Sequence, residues 1–118
     1  MQRKPPSPPS SAEAPVQRQL DAYNDHDLER FVAEYADDVE VFRMPGREPV
    51  LSGTRAFAEH YARNRFDKPG LHARLVARIV SGDIVVDHED ITGLAEQNVA
   101  AVAVYKVENG KIRTVWFF

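Results

Sequence analysis

LHARLVARIV SGDIVVDHED ITGLAEQNVA AVAVYKVENG KIRTVWFF, residues 71–118, is the stretch whose reading decides the fold. Leu71, Ala73, Leu75, Ala77 and Ile79 are apolar, with His72, Arg74 and Arg78 between them. A period of two marks a strand with one buried face. Ser81-Gly82-Asp83 is turn chemistry, and Ile84-Val85-Val86 restarts a strand that runs on through Asp87-His88-Glu89-Asp90-Ile91. A polar connection at 93–97 leads to a Val- and Ala-rich segment, 98–107. Asn109-Gly110 is a hairpin signal, because both central residues of a type I′ turn need positive φ. Residues 112–118 form the return strand.

Counting outward from a two-residue turn at Asn109-Gly110 pairs Val104 with Val115 and Val102 with Phe117. That face is expected to be the core wall. Tyr105, Ala103, Thr114 and Trp116 fall on the other. Trp116 and Phe118 on an outer face make an apolar patch of the kind that receives a partner, so a homodimer through the sheet face is expected. The first hairpin has two readings. A three-residue loop at Ser81-Gly82-Asp83 puts Asp87 and Glu89 on the face of Leu75 and Ala77. A two-residue loop at Gly82-Asp83 puts His88 and Asp90 there. A one-residue slip exchanges the faces, and the pattern leaves both open. Either way, polar groups stand among apolar ones on the inner face.

Before this stretch the periodicity is helical. Residues 1–11 hold Pro5, Pro6, Pro8 and Pro9 among serines, the composition of a disordered tail. Residues 12–118 are read as one domain. A first helix is expected from near Pro15, with Val16, Leu20 and Tyr23 on one face. Asn24 to His26 breaks it, and Asp27 caps a second helix carrying Leu28, Phe31, Val32 and Tyr35. Asp37-Asp38 ends that helix. Val39-Glu40-Val41-Phe42 is a short strand, and a loop runs from Pro45-Gly46 to Pro49. A third helix opens at 52–54, buries Phe57, Ala58, Tyr61, Ala62 and Phe66, and stops at Pro69-Gly70. Helices first and a strand meander after is the α+β class.

Composition excludes several functions. The 118 residues suit one domain. Net charge is −3, and the basic residues form no stripe, so no nucleic-acid partner is expected. There is no cysteine, hence no disulfide and no thiolate nucleophile. No apolar run approaches the ~20 residues that span a bilayer, and the start lacks the apolar core of a secretory signal. The expectation is a cytoplasmic protein without membrane, metal or cofactor. The four histidines are scattered, which does not suit a metal site.

Ala22-Tyr23-Asn24-Asp25-His26-Asp27-Leu28, then Tyr35-Ala36-Asp37-Asp38-Val39-Glu40-Val41, then Ser52-Gly53-Thr54 and the terminal Asn109-Gly110-Lys111-Ile112 form an ordered set. Over residues 15–118 it resembles the nuclear transport factor 2-like superfamily, and within it the SnoaL-like and ketosteroid-isomerase-like proteins. The resemblance implies a cystatin-like cone. A curved antiparallel sheet wraps three N-terminal helices and encloses a pocket for a small apolar or carbonyl-bearing ligand. It also implies frequent dimers, and activities that range from isomerases, polyketide cyclases and dehydratases to pockets without chemistry.

Ketosteroid isomerases combine an aspartate base with tyrosine and protonated aspartate donors. By the resemblance these positions fall at Arg43, Gln19 and Val102, so all three groups are missing. The dehydratase-like Asp–His pair falls on Asn24 and His72. The asparagine removes the charge that would hold an imidazolium, and His72 lies opposite the Leu/Ala face.

The candidates that remain each have a plain alternative. His88, between Asp87 and Glu89, reads as a base tuned by neighbouring carboxylates, with any of the three as the catalytic group. The alternative is a sheet-surface cluster paired to Arg74 or Arg78. Tyr23, Tyr35 and Tyr61 offer hydroxyls to a ligand, or pack in the core with hydroxyls at its rim. Arg43 binds an anionic group, or pairs with Glu40 or Glu48. Val102 and Phe117 are expected to line the pocket wall. Three functions follow: a proton-transfer isomerase, cyclase or dehydratase; a non-catalytic ligand-binding module; or a dimeric protein-interaction module using the sheet around Trp116.

Overall fold

The computed structural model describes residues 12–118. The expected tail at 1–11 lies outside them. Three helices, α1 (Glu13–Asn24), α2 (Leu28–Ala33) and α3 (Thr54–Asn64), are interleaved with six strands. These are β1 (Tyr35–Arg43), β2 (Leu51–Ser52), β3 (His72–Ser81), β4 (Ile84–Thr92), β5 (Val99–Glu108) and β6 (Lys111–Phe117). The strands form one curved, unclosed sheet in the order β2-β1-β6-β5-β4-β3, and the class is α+β. One join departs from an all-antiparallel sheet: β1 runs parallel to β6. The α3–β3–β4–β5 crossover between β1 and β6 supplies the length a parallel pair needs.

Local chemistry accounts for the helices. Val16, Leu20 and Tyr23 form the buried stripe of α1, as their spacing predicts. Asp27 caps α2, accepting from the Arg30 N–H at 3.1 Å, a contact that contributes about 1 kcal/mol. Tyr35 opens β1 instead of closing α2. Its side chain still reaches the helices, because the core is aromatic and continuous. Phe31 packs against Tyr35 (5.1 Å between ring centroids), Tyr61 (4.9 Å) and Phe66 (5.3 Å), and stacks on Phe57 (5.7 Å). Asn24 fastens the α1–α2 corner to β3. Its Nδ2 donates to the Ala73 carbonyl at 2.9 Å, and its Oδ1 accepts from the Ala73 N–H at 2.7 Å. His26 Nε2 donates to the Leu71 carbonyl at 2.6 Å.

Two bulges reset the expected faces. Asn109 and Gly110 take positive φ as expected (53° and 76°). However, the β5–β6 ladder shifts between Lys106 and Val107. The observed pairs are Ala103 with Phe117, Val104 with Trp116 and Tyr105 with Val115. Ala103 and Tyr105 therefore face the core and are buried, while Val102, Val104 and Trp116 face outward. The assignment of Val102 to the pocket wall is corrected, because the extra residue Arg113 in β6 slips the register by one.

In the first hairpin Ser81 pairs with Ile84 across Gly82-Asp83, and a second bulge falls between Leu75 and Ala77. Ala77 pairs with His88 on the outer face, and Leu75 pairs with Glu89 on the inner one. Neither single register describes the hairpin: the bulge at Val76 joins them. Ile79, expected inside, is 65% exposed for the same reason.

Candidate functional site

On its concave side the sheet presents one continuous row of paired positions: Arg43, Phe117, Ala103, Asp87 and Arg78, on β1, β6, β5, β4 and β3. Beside this row a cavity of about 130 Å³ opens between the helices and the sheet. Its lining includes Gln19 and Tyr23 from α1, Tyr35 and Arg43 from β1, Tyr61 from α3, Arg65, Glu89 from β4, Ala103 and Tyr105 from β5, and Phe117. A broader recess, about 620 Å³, lies beside Asp37, Asp38, Lys111 and Arg113 and shares Tyr35 with this cavity. It is open to solvent, and Arg113 there is paired with Asp38 at 3.0 Å and Glu40 at 3.2 Å. The buried titratable side chains gather around the smaller cavity.

Three adjacent residues of β4 have three different fates. Asp87 is fully buried and held bidentately by Arg78, Nε to Oδ1 at 2.7 Å and Nη2 to Oδ2 at 2.9 Å. Arg78 also reaches Gln17 at 2.7 Å and Glu13 at 3.3 Å. Asp87 thus serves as one half of a buried ion pair. His88 is exposed on the outer face, opposite Val102, and does not reach the cavity. Strand alternation forces this, since fully buried Val85 sets the odd positions inward. Glu89 is 8% exposed and lines the cavity, and its carboxylate has no hydrogen bond or ion pair among the described residues. Burial, and next the negative charge of Asp87, push its pKa up to about 7, with Arg78 opposing.

Lining the same cavity as Glu89 is a hydrogen-bonded chain of three residues. Gln19 Nε2 donates to the Val16 carbonyl at 3.0 Å. A carbonyl only accepts, so the amide nitrogen must lie on that side and its oxygen on the other. Tyr35 donates its hydroxyl to that oxygen at 2.8 Å, and the Tyr105 oxygen accepts from Nε2 at 3.4 Å. The Tyr105 hydroxyl proton has no acceptor among the described residues. Burial raises the pKa of both Tyr35 and Tyr105 well above the ordinary phenol value, so both remain protonated donors at neutral pH. Burial also raises Tyr61, to about 12, and Tyr23 further.

Tyr23, Tyr35, Tyr61, Arg43, Phe117 and Glu89 therefore stand around one cavity, while Asp87, His88 and Val102 do not line it. Three polar lining residues escaped the sequence reading as site members. Gln19 had a usable signal, a polar residue within the apolar stripe of α1 three positions after Val16. Tyr105 had none, since an unforeseen bulge turned it inward. Arg65 reads as one more surface arginine until α3 ends and places it over the Tyr61 ring, 5.9 Å from the centroid. The Asn24–His72 reading also changes: Asn24 holds main chain and His72 is exposed. Among the described residues no group of three or more His, Asp or Glu side chains could hold a metal ion. Among the described residues no helix is long and apolar enough to cross a membrane.

A family model described as a SnoaL-like domain matches residues 16–115. Among curated proteins no sequence match is found. Solved structures share the fold. An uncharacterized cystatin-fold protein from Novosphingobium aromaticivorans is 25% identical with TM-score 0.81, covering 92% of this chain and 97% of its own. The Delta 5-3-ketosteroid isomerase from Mycobacterium sp. is 21% identical with TM-score 0.78, covering 92% of each chain. RV0760c from Mycobacterium tuberculosis, solved in complex with estradiol-17beta-hemisuccinate, is 20% identical with TM-score 0.79, covering 92% and 93%.

Proposed function

Because the chain belongs to the SnoaL-like domain family, we propose that its cavity binds a small, mostly apolar carbonyl compound and that Glu89 moves a proton on it. The observation that carries this reading is a buried carboxylate without a partner among the described residues, in one cavity with a tyrosine whose proton has no acceptor there. A base works best when its pKa lies near the working pH, and Glu89 is held at about 7. In its ionised form it takes the proton from the carbon next to the carbonyl. The electron pair moves onto the carbonyl oxygen, where the Tyr105 hydroxyl donates to it. The Tyr35–Gln19 chain orients Tyr105 and strengthens its donation. Return of the proton to a second carbon completes an isomerisation. Ketosteroid isomerases do the same chemistry with other groups at other positions.

The volume of about 130 Å³ supports a guest of about one ring, since a cavity of about 150 Å³ accepts benzene. The test is deuterium exchange at the acidic carbon of monocyclic ketones, followed by NMR in D2O. The wild-type protein accelerates exchange, Glu89→Gln abolishes it, and Tyr105→Phe slows it roughly a hundredfold. Exchange that survives Glu89→Gln would overturn the assignment. Compounds that raise the unfolding temperature without exchanging would support the non-catalytic binding module instead.

A homodimer through the outer sheet face is proposed on a separate observation. Val76 and Ile79 are 43% and 65% exposed on that side, where Phe42 also stacks on Trp116 at 6.3 Å. Sedimentation equilibrium showing a dimer that Ile79→Glu dissociates supports it, and a wild-type monomer refutes it.

A further inference from the structure

Two guanidinium groups line the same cavity as Glu89 without pairing with it or with any other carboxylate among the described residues. Arg43 ends β1, next to Phe117 in the sheet, and Arg65 follows α3. Arg43 is exposed and Arg65 half-buried, so both stand at the mouth. Neither makes an ion pair among the described residues. Residues 1–11 contain no Asp or Glu that could supply one. Arg65 uses one donor on the Asn64 carbonyl at 3.2 Å, hydrogen-bonds the Tyr23 hydroxyl and lies over the Tyr61 ring, which leaves part of its five N–H donors for a ligand.

Their charges act on one place. Together with burial they lower the pKa of His60, and both offset the rise at Tyr61. Among the described residues the other arginines without an ion pair, Arg47, Arg55 and Arg63, are exposed and lie outside the cavity. In a chain of net charge −3, a cavity mouth with two unpaired cations runs against the average. Two guanidiniums near one another repel. An anion seated between them removes that repulsion and accepts bidentate, charge-assisted hydrogen bonds.

We propose that the ligand carries a carboxylate, which Arg43 and Arg65 clamp at the mouth while its ring fills the cavity. Glu89 is on β4, three strands from Arg43 on β1, about 14 Å along the sheet surface at ~4.8 Å per strand. The two negative groups are thereby kept on opposite walls. The substrate class is a monocyclic keto acid, with its carboxylate at the arginines and its carbonyl toward Tyr105. This rests on the cavity being the ligand site and adds the charge of the ligand.

The test is calorimetric binding of 3-oxocyclohexane-1-carboxylate and of its uncharged methyl ester to the full chain. The acid is expected to bind about tenfold tighter or better, and Arg43→Gln and Arg65→Gln each to remove most of that preference. Unfolding curves without ligand establish that the variants fold. Because Arg43 is exposed, its variant keeps the test valid if Arg65→Gln does not fold. Equal or tighter binding of the ester, or a preference that survives both substitutions, overturns the clamp and leaves the cavity as ligand site. Binding of neither compound overturns both readings. Clamped binding without deuterium exchange sinks only the proton transfer.

Discussion

Replacing Glu89 by glutamine should change how stability depends on pH, by an amount the structure sets. The folded-state pKa is about 7, against an ordinary 4.5. At 1.36 kcal/mol per unit, keeping this carboxylate ionised in the fold costs about 3 kcal/mol. The sign follows from which state holds the proton. Between about pH 4.5 and 7 the native protein binds it and the unfolded chain does not, so stability falls as pH rises through that window and levels off above it. About 2.5 kcal/mol should be lost between about pH 5 and about pH 8. Glutamine keeps the shape and cannot ionise, so that share of the pH dependence should vanish in the variant. Other carboxylates titrate in both proteins and cancel in the difference. The assay is urea unfolding by circular dichroism at 25 °C for both proteins at each pH. The wild type should weaken relative to the variant as pH rises. A difference that stays constant across the range would refute the buried, unpartnered carboxylate and the base built on it.

Three further outcomes follow from the same geometry. Arg78→Gln should destabilise the fold by about 3–5 kcal/mol, because it leaves Asp87 charged and fully buried; Asp87→Asn in the same chain should recover part of that loss in urea unfolding. Asn24→Ala should cost about 1–3 kcal/mol, since both polar main-chain groups of Ala73 lose their partner, and hydrogen exchange at the start of β3 should accelerate selectively. His88→Ala should shift stability by no more than about 0.5 kcal/mol, as an outward surface position, and should leave deuterium exchange of a bound ketone unchanged, in contrast to its neighbour Glu89.

The neighbours on β4 show what kind of information a strand carries. That residues 84–92 form a strand with polar groups on its buried face was legible, because alternation is a local property. Which of Asp87, His88 and Glu89 faces in was not. That depends on a one-residue bulge at Val76 in the partner strand, and a bulge has no mark in a Leu-Val-Ala run. The β5–β6 hairpin repeats the lesson. Asn109-Gly110 identified the turn, but counting from it failed once Arg113 bulged, and Tyr105 exchanged faces with Val104.

The amino-acid order alone therefore determined the class of fold, the presence of three helices, the Asp27 cap and where the two hairpins turn. It also carried the resemblance to a cone-shaped family, and it located Tyr23, Tyr35, Tyr61, Arg43, Glu89 and Phe117 as residues worth watching. Only the tertiary structure decided that Asp87 is neutralised by Arg78 while Glu89 is left without a partner, that Gln19 links Tyr35 to Tyr105, and that Arg65 joins Arg43 at the mouth. The reason is physical. Helical stripes, caps and turns are made by residues a few positions apart, whereas the charge and hydrogen-bond state of a buried group is set by whichever distant side chain the register brings beside it.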